Sequence, residues 1–89
     1  MHSFSVEKKL RSKLSKLYKK DRIVYKRIIS KIKEIVSNKS IEHYKNLRKP
    51  LNEFKRVHIM KSFVLIFKYE KSKDCVLFYD FDHHDKIYK

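Results

Sequence analysis

The spacing of apolar residues changes at Pro50, the only proline in this chain of 89 residues. Before Pro50, apolar residues recur every three or four positions, which is the period of an amphipathic helix. After Pro50 they alternate with polar residues or form short continuous runs, which is typical of β-strands. A chain with helices first and strands second predicts an α+β fold, in which helices cover one face of a sheet.

The first half predicts a short strand over residues 2–6 and then two helices. The first helix has an apolar face that contains Leu10, Leu14 and Leu17. Asp21 is a typical N-cap residue for the second helix, and Asn38 is a typical residue at its end. The apolar stripe between them consists of Val24, Tyr25, Ile28, Ile32, Ile35 and Val36. Because only about two residues join the helices, we expect an antiparallel helical hairpin.

The second half predicts three strands after a connector over residues 39–53. Residues 54–60 alternate, so Val57 and Ile59 share one face while Arg56 and His58 share the other. Residues 63–69 are almost continuously apolar, which is typical of a central strand buried on both faces. Residues 75–81 form a third strand after a short turn, and short turns join antiparallel strands. We expect Asp82 to cap a last helical turn.

These elements predict a single domain over residues 1–89. Its expected architecture is an N-terminal antiparallel helical hairpin packed on one face of a small twisted antiparallel β-sheet. The opposite face of the sheet is then available for function. If Val57 and Ile59 pack against the helices, Arg56 and His58 lie on that free face, with Lys55 and Lys61 at its margins.

The charge of the chain favours a polyanionic partner. It has 24 basic and 10 acidic residues, for a net charge of +14. Residues 1–49 hold 16 basic and 4 acidic side chains, whereas residues 50–89 hold 8 and 6. A nucleic acid, an anionic membrane or an acidic protein would each complement this charge. Because 19 of the 24 basic residues are lysines, a general lysine bias in composition is the alternative explanation.

Several classes of protein are excluded by what the sequence lacks. The longest apolar run, residues 63–67, is too short for a membrane span, so we expect no membrane association. The chain has no glycine, which excludes a glycine-rich phosphate-binding loop. The single Cys75 excludes an internal disulfide and a cysteine-based zinc site. These features favour a cytoplasmic protein.

The histidines and cations of the chain permit the chemistry of a metal-independent ribonuclease. Such an enzyme needs a base for the 2′-hydroxyl, cations around the phosphorane and an acid for the leaving 5′ oxygen. Histidine fits both proton-transfer roles near neutral pH. The alternative for His58 is a surface histidine with no such role. His83 and His84 look like a metal-binding pair, but adjacent side chains point in different directions, so we expect no metal and no cofactor.

The order of motifs in this chain resembles the RelE superfamily of toxins from toxin–antitoxin systems, and it is closest to the YafQ-like branch. The motifs follow the basic helical hairpin and are His43-Tyr44-Lys45-Asn46-Leu47, Lys55-Arg56-Val57-His58-Ile59, Phe63-Val64-Leu65-Ile66-Phe67 and Asp82-His83-His84-Asp85-Lys86-Ile87-Tyr88. The resemblance spans nearly the whole chain. Its most specific parts are the Arg-Val-His strand and the terminal histidine followed four residues later by an aromatic residue.

This resemblance implies the toxin of a type II toxin–antitoxin system, an endoribonuclease that cuts mRNA in the ribosomal A site and so inhibits translation. It implies a cognate antitoxin as partner, and contact with operator DNA only through the antitoxin complex. By motif, His84 would be the principal acid/base residue, His58 a second proton-transfer group and Tyr88 a stacking residue. RNA and phosphate contacts would come from Lys55, Arg56, Lys61, His43, Lys45, Arg48 and Lys49.

Two positions depart from the YafQ-like pattern. Ser62 stands where that branch has an acidic residue, and Asp80 stands where it has an arginine, four residues before His84. A carboxylate beside the site would disfavour the scissile phosphate, although it could orient a neighbouring histidine. The alternative function is therefore a non-catalytic basic protein that binds RNA, the ribosome or an antitoxin.

Overall fold

The computed structural model describes residues 1–87, and its elements confirm the α+β class. In chain order they are β1 (Ser3–Val6), α1 (Lys8–Lys20), α2 (Arg22–Ser37), a 3₁₀ turn (Ile41–His43), β2 (Lys55–Ile59), β3 (Phe63–Glu70), a second 3₁₀ turn (Lys71–Lys73), β4 (Cys75–His83) and α3 (His84–Ile87). Tyr88 lies outside the described residues. None of the described helices is long and apolar enough to cross a membrane.

Helices α1 and α2 are joined by Asp21 alone, and this residue serves both helices. Its backbone N–H donates to Leu17 O at 2.7 Å and so completes the last turn of α1. Its carboxylate accepts from Val24 N at 3.2 Å, which is the predicted N-cap of α2. The end of α2 lies next to the start of β1, and His2 N donates a hydrogen bond to Val36 O at 3.0 Å. The predicted pair of helices is therefore confirmed.

The four strands form one sheet in the order β1-β4-β3-β2. Neighbours β2 and β3 are antiparallel, as are β3 and β4, but β1 pairs in parallel with β4 through Ser3↔Cys75 to Val6↔Phe78. The prediction of a wholly antiparallel sheet was wrong on this point, and the sheet is mixed. A parallel pair is possible because the helical hairpin and two further strands separate β1 from β4, which allows the chain to cross over.

Strand β3 lies inside the sheet, and its buried run confirms the predicted central strand. Leu65 and Phe67 face α1 and α2 and belong to the main core, whereas Val64 and Ile66 face the other way. The phase of β2, which the sequence left open, places Val57 and Ile59 on the side of the helices. Ile59 is buried in the main core with Val57 packed against it. The main core therefore lies between the helical hairpin and the sheet, and its buried members are Leu10, Val24, Ile28, Ile32, Ile35, Val36, Ile41, Ile59, Leu65, Phe67, Val76, Phe78 and Phe81.

The boundary between β4 and α3 differs from the prediction. Strand β4 continues to His83, and the four-residue helix α3 starts at His84. Asp82 is still part of the strand, where its Oδ1 accepts from His83 N at 2.7 Å. His83 takes the position before the helix, and its Nδ1 accepts from Asp85 N at 3.3 Å. The prediction that Asp82 caps this helix was wrong by one residue, because Asp82 is held within the strand by its other contacts.

Candidate active site

A second, smaller apolar cluster covers the face of the sheet opposite α1 and α2. Leu47 from the connector is buried there against Val64 and Ile66 of β3. Phe54, Tyr79 and Ile87 pack around them. The connector and α3 are therefore attached to this face, and the gap between them becomes a groove. This face was predicted to be free, and the cluster on it was not predicted, although the apolar residues Leu47, Phe54 and Ile87 were the signal for it.

The groove has a volume of about 460 Å³ and combines apolar and cationic walls. Its lining consists of Asn46, Leu47, Arg48, Lys49, Pro50, Leu51, Arg56, His84 and Ile87. Arg48 and Lys49 are exposed on the connector, and Arg56 reaches the groove from β2. Guanidinium and ammonium groups bind phosphate oxygens, while the apolar residues offer a surface for a flat base. Four of the predicted site residues thus share one cavity.

His58 and His84 meet at the edge of this groove. The two rings stack with centroids 5.6 Å apart and an interplanar angle of 27°. His58 lies on the same face of β2 as Arg56, because alternate residues of a strand share a face. His84 is the first residue of α3, and its backbone N–H donates to Ser62 O at 2.7 Å in the turn between β2 and β3. Two residues 26 positions apart in the sequence are therefore side by side.

Both imidazoles remain accessible to a substrate. His58 is exposed, and the side chain of His84 is 46% exposed. His84 also lies 3.7 Å from a carboxylate oxygen of Asp85. A neutral imidazole accepts a proton and an imidazolium donates one, so two adjacent histidines can divide the base and acid roles of a ribonuclease.

Lys55, which is predicted to contact phosphate, does not line the groove. Its Nζ donates to Tyr44 O and Asn46 Oδ1, both at 3.1 Å, and to Glu42 O at 3.3 Å. The ammonium group is used by the connector, where two backbone carbonyls and one side-chain amide oxygen accept from it. Lys55 therefore holds the connector in place, and the connector in turn carries Arg48 and Lys49 to the groove.

His43 also lies apart from the groove. Its ring stacks on Tyr44 with centroids 4.4 Å apart, and its Nδ1 contacts Ser40 O. Tyr44 in turn packs edge-on against Phe67 of the main core, on the helical side of the sheet. His43 is therefore not among the residues that line the groove, and its predicted RNA contact stays a prediction.

Two other predicted residues lie near the groove without lining it. Lys45 is exposed, and its carbonyl accepts from Arg56 N at 2.9 Å. Lys61 is exposed in the turn that also contains Ser62, the partner of the His84 backbone. Tyr88, the predicted stacking residue, lies outside the described part of the chain.

The carboxylate of Asp80, which reverses the charge expected at this position, is neutralised. Asp80 Oδ1 lies 2.8 Å from Lys13 Nζ and accepts from Phe81 N at 2.8 Å, while Oδ2 lies 3.7 Å from Lys9 Nζ. Two lysines of α1 thus compensate one carboxylate. Asp80 therefore contributes little net negative charge to the groove.

Asp82 takes part in the same group of charges. Burial acts to raise the pKa of Asp82, but the hydrogen bonds from His83 N and Lys13 outweigh it and hold the pKa below its usual value. Burial likewise acts to lower the pKa of Lys13, and the hydrogen bonds with Asp80 and Asp82 outweigh it and raise the pKa. Both groups are therefore charged at neutral pH. Within residues 1–87 no three His, Cys, Asp or Glu side chains are grouped so as to hold a metal ion.

Comparison with known proteins identifies the family. No family model matches the chain. A protein of Methanocaldococcus jannaschii named "Putative toxin RelE4" is 51% identical over 89 residues, which cover all of this chain and 93% of that protein. The chain belongs to the RelE family of toxins. The alignment spans the whole chain, so the groove and the helical hairpin both lie in the aligned region.

Solved structures of low sequence identity share the RelE fold. A chain of the toxin–antitoxin complex RelBE2 of Mycobacterium tuberculosis has a TM-score of 0.62 and 17% identity, covering 93% of this chain and 98% of that one. A metal-bound toxin from Helicobacter pylori has a TM-score of 0.67 and 18% identity, covering 98% and 99%. These likenesses support the fold of the RelE family.

Proposed function

We propose that this protein is the toxin of a type II toxin–antitoxin system and that it cuts mRNA on the ribosome in the cytoplasm. The observation that carries the proposal is the stacked pair of His58 and His84 beside a groove lined by cations. Membership of the RelE family supports the toxin role, and within that family the motif order favours the YafQ-like branch. The reaction is a phosphoryl transfer that needs no metal ion.

In the proposed reaction one histidine removes the proton from the 2′-hydroxyl of the RNA. The 2′ oxygen attacks the adjacent phosphorus, and the bond to the 5′ oxygen breaks. The second histidine, as imidazolium, gives its proton to that leaving oxygen. The products are a 2′,3′-cyclic phosphate and a free 5′-hydroxyl, so protons and electrons balance. His84 is the principal acid/base residue and His58 its partner.

The cations of the groove stabilise the charge that develops on the phosphate. Arg56 and Arg48 offer bidentate donors, and Lys49 adds a point charge. The apolar side chains of Leu47, Leu51 and Ile87 give a base a surface away from water. Tyr88 and Lys61 remain candidates for contacts with the RNA around the cut.

We further propose an acidic cognate antitoxin as the regulatory partner. The excess positive charge of the helical half, 16 basic against 4 acidic residues over residues 1–49, favours an acidic protein there as well as ribosomal RNA. A related toxin has been solved as the toxin–antitoxin complex RelBE2, which supports such a partner. Operator DNA would be contacted only through that complex.

Controlled expression without an antitoxin tests the proposal. We expect growth arrest and mRNA cuts at fixed positions within codons, and we expect His84→Ala to reduce cleavage by roughly 10²- to 10⁴-fold. His58→Ala should also reduce it. His43→Ala is the matched control, because His43 does not line the groove and its ring stacks on Tyr44 instead.

Two outcomes would contradict the proposal in different ways. Full toxicity of His84→Ala would remove the catalytic assignment while leaving a toxin. A folded wild-type protein that neither arrests growth nor cuts mRNA would favour the non-catalytic alternative, a basic protein that binds RNA or an antitoxin. Primer-extension mapping of ribosome-bound transcripts distinguishes the two, since it detects cleavage independently of growth.

A further inference from the structure

Half of strand β4 lies at an edge of the sheet. The partner strand β1 ends at Val6, which is opposite Phe78, and Glu7 N then donates to Phe78 O at 2.8 Å. Residues 79–83 therefore have β3 on one side and none of the strands within residues 1–87 on the other. Backbone groups at such an edge need other partners, and an uncovered edge is less firmly held than a paired one. This edge leads directly into His84.

Lys13 of α1 occupies the place of the missing strand. Its Nζ donates to Asp80 Oδ1 at 2.8 Å, to Phe81 O at 2.9 Å and to Asp82 Oδ2 at 3.1 Å. An ammonium group has three donors, so all of them are used on three consecutive residues of β4. The same two carboxylates accept from the backbone N–H groups of Phe81 and His83. Lys13 and the two aspartates thus provide hydrogen-bond partners for the backbone groups of Phe81 and His83 at this edge.

Asp82 extends the contact from α1 to α3. While Oδ2 accepts from Lys13, Oδ1 accepts from His83 N and lies 4.0 Å from Lys86 Nζ in α3. His84 follows directly, and its backbone is fixed on the other side by Ser62 O. The start of α3 is thus contacted from the turn between β2 and β3 through Ser62 and from α1 through Asp82.

We propose that Lys13 is a positioning residue for His84, acting through Asp80, Phe81 and Asp82 to fix the end of β4 from which His84 begins α3. The inference rests on the proposed function of His84. It differs from a role in stability alone, because it predicts a change in the geometry of the histidine pair in a protein that remains folded. It also explains why a carboxylate is tolerated at position 80: Asp80 is a partner of Lys13.

Lys13→Met keeps the aliphatic stem and removes the ammonium group, so it is the variant that tests the proposal. In single-turnover cleavage on ribosomes programmed with a short mRNA, we expect the rate constant to fall about 10- to 100-fold, because small misplacements of a catalytic group have effects of this size. Affinity for the ribosome should change by less than about threefold, since the one charge that is lost is half-buried and already paired with Asp80 and Asp82. Lys13→Arg, which keeps a cation within reach of the carboxylates, should recover most of the rate.

Lys73→Met is the matched control. Lys73 loses the same charge and forms an ion pair of 3.9 Å with Glu70, but it lies at the turn before β4. We expect its cleavage rate to equal that of the wild type. Equal rates for Lys13→Met and Lys73→Met would overturn the proposal, and so would a Lys13→Arg variant as slow as Lys13→Met.

A second measurement needs no activity. Nuclear Overhauser contacts between the His58 and His84 rings should be present in the wild type and lost or weakened in Lys13→Met, with the contacts of the main core unchanged. Asp82→Asn serves the same purpose if Lys13→Met does not fold. Ring contacts that persist in a folded variant would overturn the positioning role. If the wild type lacks nuclease activity but the ring contacts depend on Lys13, the proposed function fails while the structural link holds.

Discussion

At the scale of single residues, His2 connects three distant parts of the chain. Its Nδ1 contacts Asp74 Oδ1 at the turn between β3 and β4, and its Nε2 lies 2.6 Å from Asn38 O at the end of α2. Asp74 also accepts from the hydroxyl of Tyr69 at 2.8 Å. Only an imidazolium can donate from both ring nitrogens, so this arrangement favours the protonated histidine.

The network of His2 and Asp74 predicts a pH-dependent stability. Hydrogen bonds to Asp74 and Asn38 O raise the pKa of His2 above its usual 6.5, and hydrogen bonds from His2 and Tyr69 lower the pKa of Asp74 below its usual 3.8. The contribution of His2 is complete below its unfolded pKa and is lost as pH rises through the folded value. The contribution of Asp74 is present above its unfolded pKa and is lost as pH falls.

We therefore expect His2→Ala to lower the melting temperature more at about pH 5 than at about pH 8.5. Near pH 5 both partners are charged, whereas His2 loses its proton as pH rises through its raised pKa and can then donate from one nitrogen only. Thermal unfolding followed by circular dichroism at the two pH values measures this. The same loss of melting temperature at both values would contradict the network.

Individual residues also show the limits of reasoning from sequence. The type of Lys55 suggested a phosphate contact, but its Nζ binds Glu42 O, Tyr44 O and Asn46 Oδ1. Nothing local could indicate this, because the need for a donor arises from how the connector folds back on β2. Asp80 was unexplained for the same reason, since its partner Lys13 lies 67 residues away. The contacts of long polar side chains such as these depend on the tertiary structure, which the local sequence does not specify.

At the scale of elements, the spacing of apolar residues correctly predicted the type of each main segment and the face that it buries. The stripe of Val24, Ile28 and Ile32 and the run of β3 are buried as expected, because period and burial are properties of a single segment. The parallel pairing of β1 with β4 joins Ser3 to Cys75, and no feature within either strand specifies it. The helix start at His84 and the second apolar cluster likewise depend on contacts between segments.

The junction of α1 and α2 gives a prediction at this scale. Asp21→Ala removes the cap that accepts from Val24 N, and we expect the free energy of unfolding to fall by about 1 kcal/mol. Asp21→Asn keeps an acceptor at the same place and should change it by only a few tenths of that value. Urea denaturation of the three proteins measures the difference. Equal losses in both variants would mean that the charge of Asp21, rather than its cap, supports the junction.

At the scale of the whole molecule, charge and chemistry are divided between the two sides of the sheet. The histidine pair and the groove lie on one side with α3, and the helical hairpin covers the other. The cations around the junction of the helices are exposed and form no ion pair with a carboxylate among residues 1–87; they are Lys19, Lys20, Arg22, Lys26 and Arg27. The guanidinium of Arg22 lies over the ring of Tyr18 at 4.3 Å. Unneutralised charge next to an aromatic ring favours docking on RNA.

Because the exposed cations and the histidine pair lie on opposite sides of the sheet, we expect that substitutions can weaken ribosome binding without changing the cleavage rate. Replacing Lys19, Lys20 and Lys26 together by glutamine should weaken ribosome binding and reduce the slope of log affinity against log salt by roughly 2, since each phosphate contact contributes about 0.7 to 0.9. At saturating ribosome concentration the single-turnover cleavage rate should match that of the wild type, because the groove is unchanged. Binding titrations at several salt concentrations, combined with single-turnover cleavage, measure both quantities.

The matched control removes the same charge elsewhere. Lys68, Lys71 and Lys73 each lie within ion-pair distance of a glutamate, at 3.5, 3.3 and 3.9 Å, so their positive charge is already compensated. Replacing these three by glutamine should leave the salt slope nearly unchanged, although the net charge falls by the same amount. If both triple variants lowered the slope equally, the total charge of the protein would govern its docking. A loss confined to the junction of α1 and α2 would locate the RNA contact there, on the side of the sheet away from the histidine pair.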